Sequence, residues 1–245
     1  MNPAIAAPLN PEHPPTSGEL KQILEGALRD AHFAARVDLR GVGSVLDLTV
    51  LSHKAPFDRT LDAANAWMAS VGIGGTATFN DFHDIVITLS TAAEVHKLTT
   101  ALLEPHIRAH TVGDELSGLL EAHHLSSSVE LQGTNTVEVV LAGEELEAVA
   151  GFAAKLDAPA IEAGLALHRP RGMRRLAERL QWLVTGVLGS AVCATATPGC
   201  AHDPDHITLH LTIDQAQRLT QRLPHPSRDN PIATCPDRSA SGGAS

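Results

Sequence analysis

The stretch from Val129 to Leu156, VELQGTNTVEVVLAGEELEAVAGFAAKL, changes its hydrophobic period part-way along. Val129-Glu-Leu131 and Val137-Glu-Val139-Val-Leu141 alternate with the period of two that a half-buried strand requires. Between them, Gly133-Thr-Asn135 carries turn residues. From Leu146 the period lengthens: Leu146, Val149, Ala153 and Leu156 fall three and four apart, one stripe of a helix. Glu144 and Glu145 precede that stripe, where carboxylates suit the positive end of a helix dipole. The stretch therefore reads strand, turn, strand, helix.

The same reading recurs along the chain. Leu46-Asp-Leu48-Thr-Val50, Ile85-Val-Ile87-Thr-Leu89 and Ile207-Thr-Leu209-His-Leu211 are further second strands. First strands precede them at Ala35 to Leu39, Ala77 to Phe79 and Ala191 to Cys193, with turn residues at Gly41, Asn80 to Asp84 and Pro198-Gly199. Helical stripes follow: Phe57, Leu61, Ala64, Met68 and Val71; Val95, Leu98 and Leu102; Ile213, Ala216, Leu219 and Leu223. Ser90 and Asp214 are the residues expected to cap two of these helices. Three more helices precede hairpins, around Leu20 to Leu28, Leu116 to Leu120 and Met173 to Val187.

From Leu46 to Val86, Glu138 and Thr208 the steps are 40, 52 and 70 residues. A solenoid keeps one period, so duplication of a small helix–hairpin–helix unit is the better reading. The expected fold is α+β, with antiparallel sheets and helices packed on one face. Residues 1–17 and 224–245 are rich in proline and polar residues and read as a disordered arm and tail. Pro105 to Gly113 is the expected boundary, giving halves at 18–108 and 112–223.

Composition narrows the function. The net charge is −10, from 28 acids against 18 bases. That sign opposes general attraction to nucleic acid or anionic membrane. Five Phe, two Trp and no Tyr leave few rings for stacking or for lining a pocket. The longest apolar run, Trp182 to Ala196, falls short of the ~20 residues of a membrane helix. An odd number of cysteines, three, and an N-terminus without a basic start point to a reducing cytoplasm.

Two clusters carry chemistry. HRPRGMRRLAER, residues 168–179, places Arg169, Arg171, Arg174, Arg175 and Arg179 at a helix start. Such a face grips phosphate or an acidic partner, or is simply solvated. The second is Cys193, Cys200, His202 and His206, spaced C-x6-C-x-H-x3-H, soft ligands of the kind zinc takes. Cys193 lies well back from the hairpin tip, so this set fits zinc poorly, and its alternative is a small buried thiol beside a polar loop. Cys235 in the tail is a further thiol that the spacing does not call for. Asp81, His83 and Asp84 read as turn residues, and His123 and His124 as residues ending a helix. Gly72-Ile-Gly74-Gly75 runs from helix to strand, the reverse of a phosphate loop. No catalytic motif is present.

These observations favour a non-enzymatic protein that acts on a protein partner or a second copy through its surface. A nucleic-acid regulator using residues 169–179 and a zinc-binding protein using residues 193–206 are the alternatives.

Overall fold

A computed structural model describes residues 15–41, 45–143, 146–200 and 204–225. The chain opens with α1 (Ser17–Asp30), β1 (Ala35–Arg40), β2 (Val45–Val50), α2 (Leu61–Ser70), β3 (Thr76–Phe79), β4 (Ile85–Leu89) and α3 (Ala92–Leu98). A π turn, Thr99–Leu103, leads into α4 (Glu104–Ala122). Then come β5 (Ser127–Gln132), β6 (Thr136–Ala142), α5 (Glu147–Lys155), α6 (Pro170–Leu188), β7 (Cys193–Thr197), β8 (His206–Thr212) and α7 (Ile213–Arg222).

The hairpins pair two by two. One four-stranded sheet has the order β1-β2-β4-β3 and the other β5-β6-β8-β7, and every pairing is antiparallel. Alternation places one apolar row per strand on the helix side. Leu46, Leu48, Ile85, Ile87 and Leu89 meet Leu24, Leu28, Met68, Val95 and Leu98 in one core. Val137, Val139, Leu141, Ile207, Leu209 and Leu211 meet Leu116, Leu120, Phe152, Leu180 and Leu219 in the other. The second face of each sheet is polar: Arg36, Asp38, Asp47 and Thr88 in the first, Glu130, Glu138, Thr195 and His210 in the second. The fold is α+β as expected, and the unit that buries a core holds two hairpins.

The two units match closely. Each middle helix covers the edge of its sheet with a side-chain amide. Ala77 N–H on β3 donates to Asn65 Oδ1 on α2 at 3.1 Å, and Ala194 N–H on β7 donates to Gln181 Oε1 on α6 at 3.2 Å. Each last helix starts on a capping box, Thr91 with Glu94 and Thr212 with Gln215.

Several local expectations are corrected. The caps are Thr91 and Thr212, one residue after Ser90 and two before Asp214. The strand read at Ala191 to Cys193 begins at Cys193 and runs to Thr197. Phe57 precedes α2 and packs from the loop, its ring 5.2 Å from that of Trp67. The segment from Pro105 to Gly113, read as the boundary, is helix throughout; the buried residues of one core end at Leu103 and those of the other begin at Ala109. The π turn makes this workable: Glu104 N–H donates to Thr99 O, five residues back, and Pro105, with no N–H to place, sits in the first turn of α4. Gly113 lies where α4 presses on Leu131. The expected arm and tail lie mostly outside the described residues, as do Glu144 and Glu145.

Candidate functional site

The five arginines of residues 169–179 divide into two sets. Arg169 is the N-cap of α6 and its Nε lies 3.3 Å from His168 Nε2. Arg179 turns back: its Nη1 donates to Ile161 O at 2.6 Å and Ala163 O at 3.0 Å, pinning the segment that precedes α6. Both side chains are thus engaged within the chain. Gly172 belongs with them, because a Cβ there would lie 2.0 Å from Ala166 O.

Arg171, Arg174 and Arg175 point outwards. Arg174 makes only a long contact to Pro170 O at 3.4 Å. Arg171 and Arg175 have no hydrogen-bond or ion-pair partner among the described residues. Glu178 is exposed among them. Two turns beyond Arg175, on the same side of the helix, stands Trp182. It is 72% exposed. The sequence stripe Met173, Leu176, Leu180, Val184 fixes which side of α6 is buried, so the outward row was legible. The exposed indole was missed because Trp182 opens the longest apolar run.

The hairpin after Cys193 looks different from its sequence. Cys193 is exposed on β7, not a buried thiol, and Cys200 is exposed as well. Cys193 faces His210 across the strands, while His206 faces Thr197. The four-residue offset along β8 amounts to about 13 Å. His202 and Cys235 lie outside the described residues. Among the described residues, no group of three or more His, Cys, Asp or Glu is placed to hold a metal ion.

One polar chain on the second sheet was not foreseen. Thr195 Oγ1 lies 3.1 Å from His210 Nε2, and His210 Nδ1 lies 3.3 Å from Glu138 Oε1. Hydroxyl, imidazole and carboxylate in that order resemble a nucleophile relay. They stand on an open sheet face, away from the cavities of about 670 Å³ and 470 Å³ described below. A structural role accounts for them: Glu130 and Glu138 are directly opposed, and His210 gives Glu138 a partner. The first sheet solves the same problem at Asp38 and Asp47, where Asp47 receives Arg40 Nε at 2.7 Å and Thr88 Oγ1 at 2.9 Å.

Comparison with protein-family models, curated proteins and solved structures finds no match to this chain.

The cavities are shallow or occupied by internal contacts. One of about 670 Å³ lies between the π turn, α4 and α7, where Arg108 is already tied to Asp214 and Gln217. Another of about 470 Å³ is lined by Leu146, Glu162, Leu165, His168 and Asp205. There Asp205 Oδ1 accepts from Gly199 N–H at 2.6 Å. Glu162 Oε2 is buried without a partner, but it is shielded from the cavity as from solvent. The turn at Asp81 to Asp84 is held by Asn80 Oδ1, which accepts from Phe82 N–H and Asp84 N–H.

Three histidines meet at one corner of the first unit. His32, between α1 and β1, stacks on His110 of α4. His106, one turn before His110, is only 5% exposed, with its ring 5.3 Å from Phe33. Burial, then Lys54 and His110, lower the His106 pKa; burial, then His32 and Lys54, lower that of His110 against the opposing pull of Asp114.

Proposed function

We propose that this chain is a non-enzymatic interaction protein that acts through its surface. The observation that supports it is the 72% exposure of Trp182. A protein with two Trp and no Tyr leaves one indole in water, on a helix whose other side is core. An exposed indole forgoes about 1.5–3 kcal/mol of burial that an interior site would supply. Tryptophan and arginine are the residues most enriched among interface hot spots.

Catalysis has no comparable support. The relay of Thr195, His210 and Glu138 stands on an open sheet face, and the thiols of Cys193 and Cys200 are exposed to solvent rather than held in a cleft. No described helix is long and apolar enough to cross a membrane. A reducing cytoplasm accords with exposed thiols.

The test is cross-linking in the native cell followed by mass spectrometry, beside native mass measurement of the purified chain. A recurrent protein partner, or a defined assembly of copies, is the expected result. A monodisperse monomer that cross-links to nothing sinks the reading.

A further inference from the structure

The two units act as controls for one another. Asn65 and Gln181 occupy the same place, since each accepts from the edge-strand N–H of Ala77 or Ala194. Counting on from that pair, Met68 falls on Val184, both buried, and Ala66 falls on Trp182, both exposed. The fold is therefore satisfied by a methyl group at the position where the second unit carries an indole.

The arginines show the same contrast. α2 has 10 residues and α6 has 19. In this alignment Leu61, the first residue of α2, falls on Ala177. Residues 170–176 of α6 have no counterpart in α2, and they hold Arg171, Arg174 and Arg175. The inner side of that extension is explained by Gly172, Met173 and Leu176, which pack on the core and on the segment before α6. Its outer side meets no other helix or strand among the described residues.

Building on the interaction role above, we propose that the outer face of α6, from Arg171 to Trp182, docks an acidic protein segment that carries an apolar side chain against the indole. Charge selects the occupant. The face holds three arginines and Glu178, a local excess of cations on a chain of net charge −10. A short acidic segment is held within about a Debye length, ~8 Å, of those arginines and is screened from the rest of the chain. A long polyanion must also lie against the acidic surface beyond them. Arg171 and Trp182 are eleven positions apart on α6, about 16 Å, which suits a few turns of partner helix. Guanidinium groups supply paired donors to carboxylates, and the indole supplies the area.

The experiment is fluorescence anisotropy with the full chain and a labelled helical peptide of Glu and Ala bearing one Leu-Leu anchor. Oligothymidylate of equal charge is measured in parallel. The expected result is peptide binding that weakens with salt, falls about tenfold or more in W182A and in R171A/R174A/R175A, and is largely kept in W182F. All of these positions are exposed, and unchanged thermal melts confirm that the variants fold. Binding that ignores these substitutions, or no binding of the peptide, overturns the proposal. So does tighter binding of the oligonucleotide, or a dimer that W182A converts to monomer; these assign the face to nucleic acid or to a second copy. Repeating the cellular cross-linking with the quadruple variant separates this surface from the wider reading. Partners retained by the variant would leave the interaction role standing and remove α6 from it.

Discussion

The rings of His32 and His110 stack with centroids 4.4 Å apart and planes 25° from parallel. Two imidazoles in that contact cannot both gain a proton without repulsion, and Lys54 already bears on His110 and on buried His106.

The corner therefore makes stability depend on pH in one direction. Both His106 and His110 lie below the ordinary 6.5, so the unfolded chain takes up protons first as pH falls. Stability rises with pH wherever the unfolded state binds more protons. The contribution is complete above 6.5 and is lost as pH falls from there through the depressed folded values. The groups facing the corner are His32, Lys54 and Asp114; Asp114 acts in the opposite sense on His110, and a backbone hydrogen bond at Lys54 does so on His106. Urea midpoints measured at neutral pH and a unit below 6.5 test this. H106N and H110Q should each flatten the slope relative to wild type. An unchanged slope in both variants would place the acid sensitivity among the other histidines.

Two adjacent residues test the capping assignment. Thr91 Oγ1 accepts from Glu94 N–H at 3.2 Å, while Ser90 contributes only its backbone N–H, which donates to Glu94 Oε2 at 2.7 Å. T91A should cost about 1 kcal/mol in a denaturant melt and S90A about none. Equal losses would mean that both hydroxyls share the cap.

That one-residue error shows where sequence reasoning stops. Alternation in Ile85 to Leu89 and Val137 to Leu141 placed the strands because burial on one face dictates the side chains directly. The cap depends on which hydroxyl meets the third backbone N–H, a matter of backbone geometry that Ser90-Thr91 does not spell out. The helix across Pro105 to Gly113 was not legible, because the π turn that accommodates the proline leaves no mark in composition. Arg171, Arg174 and Arg175 were visible as a cluster, since the adjacent stripe defines the buried side. Their separation from Arg179 was not, because it rests on carbonyls of Ile161 and Ala163 in an irregular segment. His32 and His110 are 78 residues apart and meet only through tertiary packing.

Two glycines of α6 make opposite predictions. A Cβ on Gly172 would sit 2.0 Å from Ala166 O and 2.6 Å from its carbonyl carbon, so backbone must move. G172A should destabilise by about 1–3 kcal/mol. Gly186, in the helix interior, has nothing within 4 Å of such a Cβ. G186A should stabilise by about 0.5–1 kcal/mol, because alanine loses less backbone entropy in a helix. Denaturant melts of both variants in parallel decide it, and a loss in G186A would contradict the open surface found beside Trp182.

Arg179 and Arg175 are neighbours in type and opposite in role. Arg179 donates from one nitrogen to two carbonyls of the segment before α6, whereas Arg175 has no partner among the described residues. Charge-assisted bonds to backbone hold an irregular segment more firmly than exposed ion pairs do. R179A should cost about 1 kcal/mol, discounted from the usual charged-group value because the side chain is exposed. It should also speed amide exchange in residues 157–169. R175A should change stability by less than about 0.5 kcal/mol and leave exchange in that segment as it was. The pair thus divides the arginine cluster by experiment: a matching loss in R175A would make the whole cluster structural and leave the outer face of α6 without its cationic half.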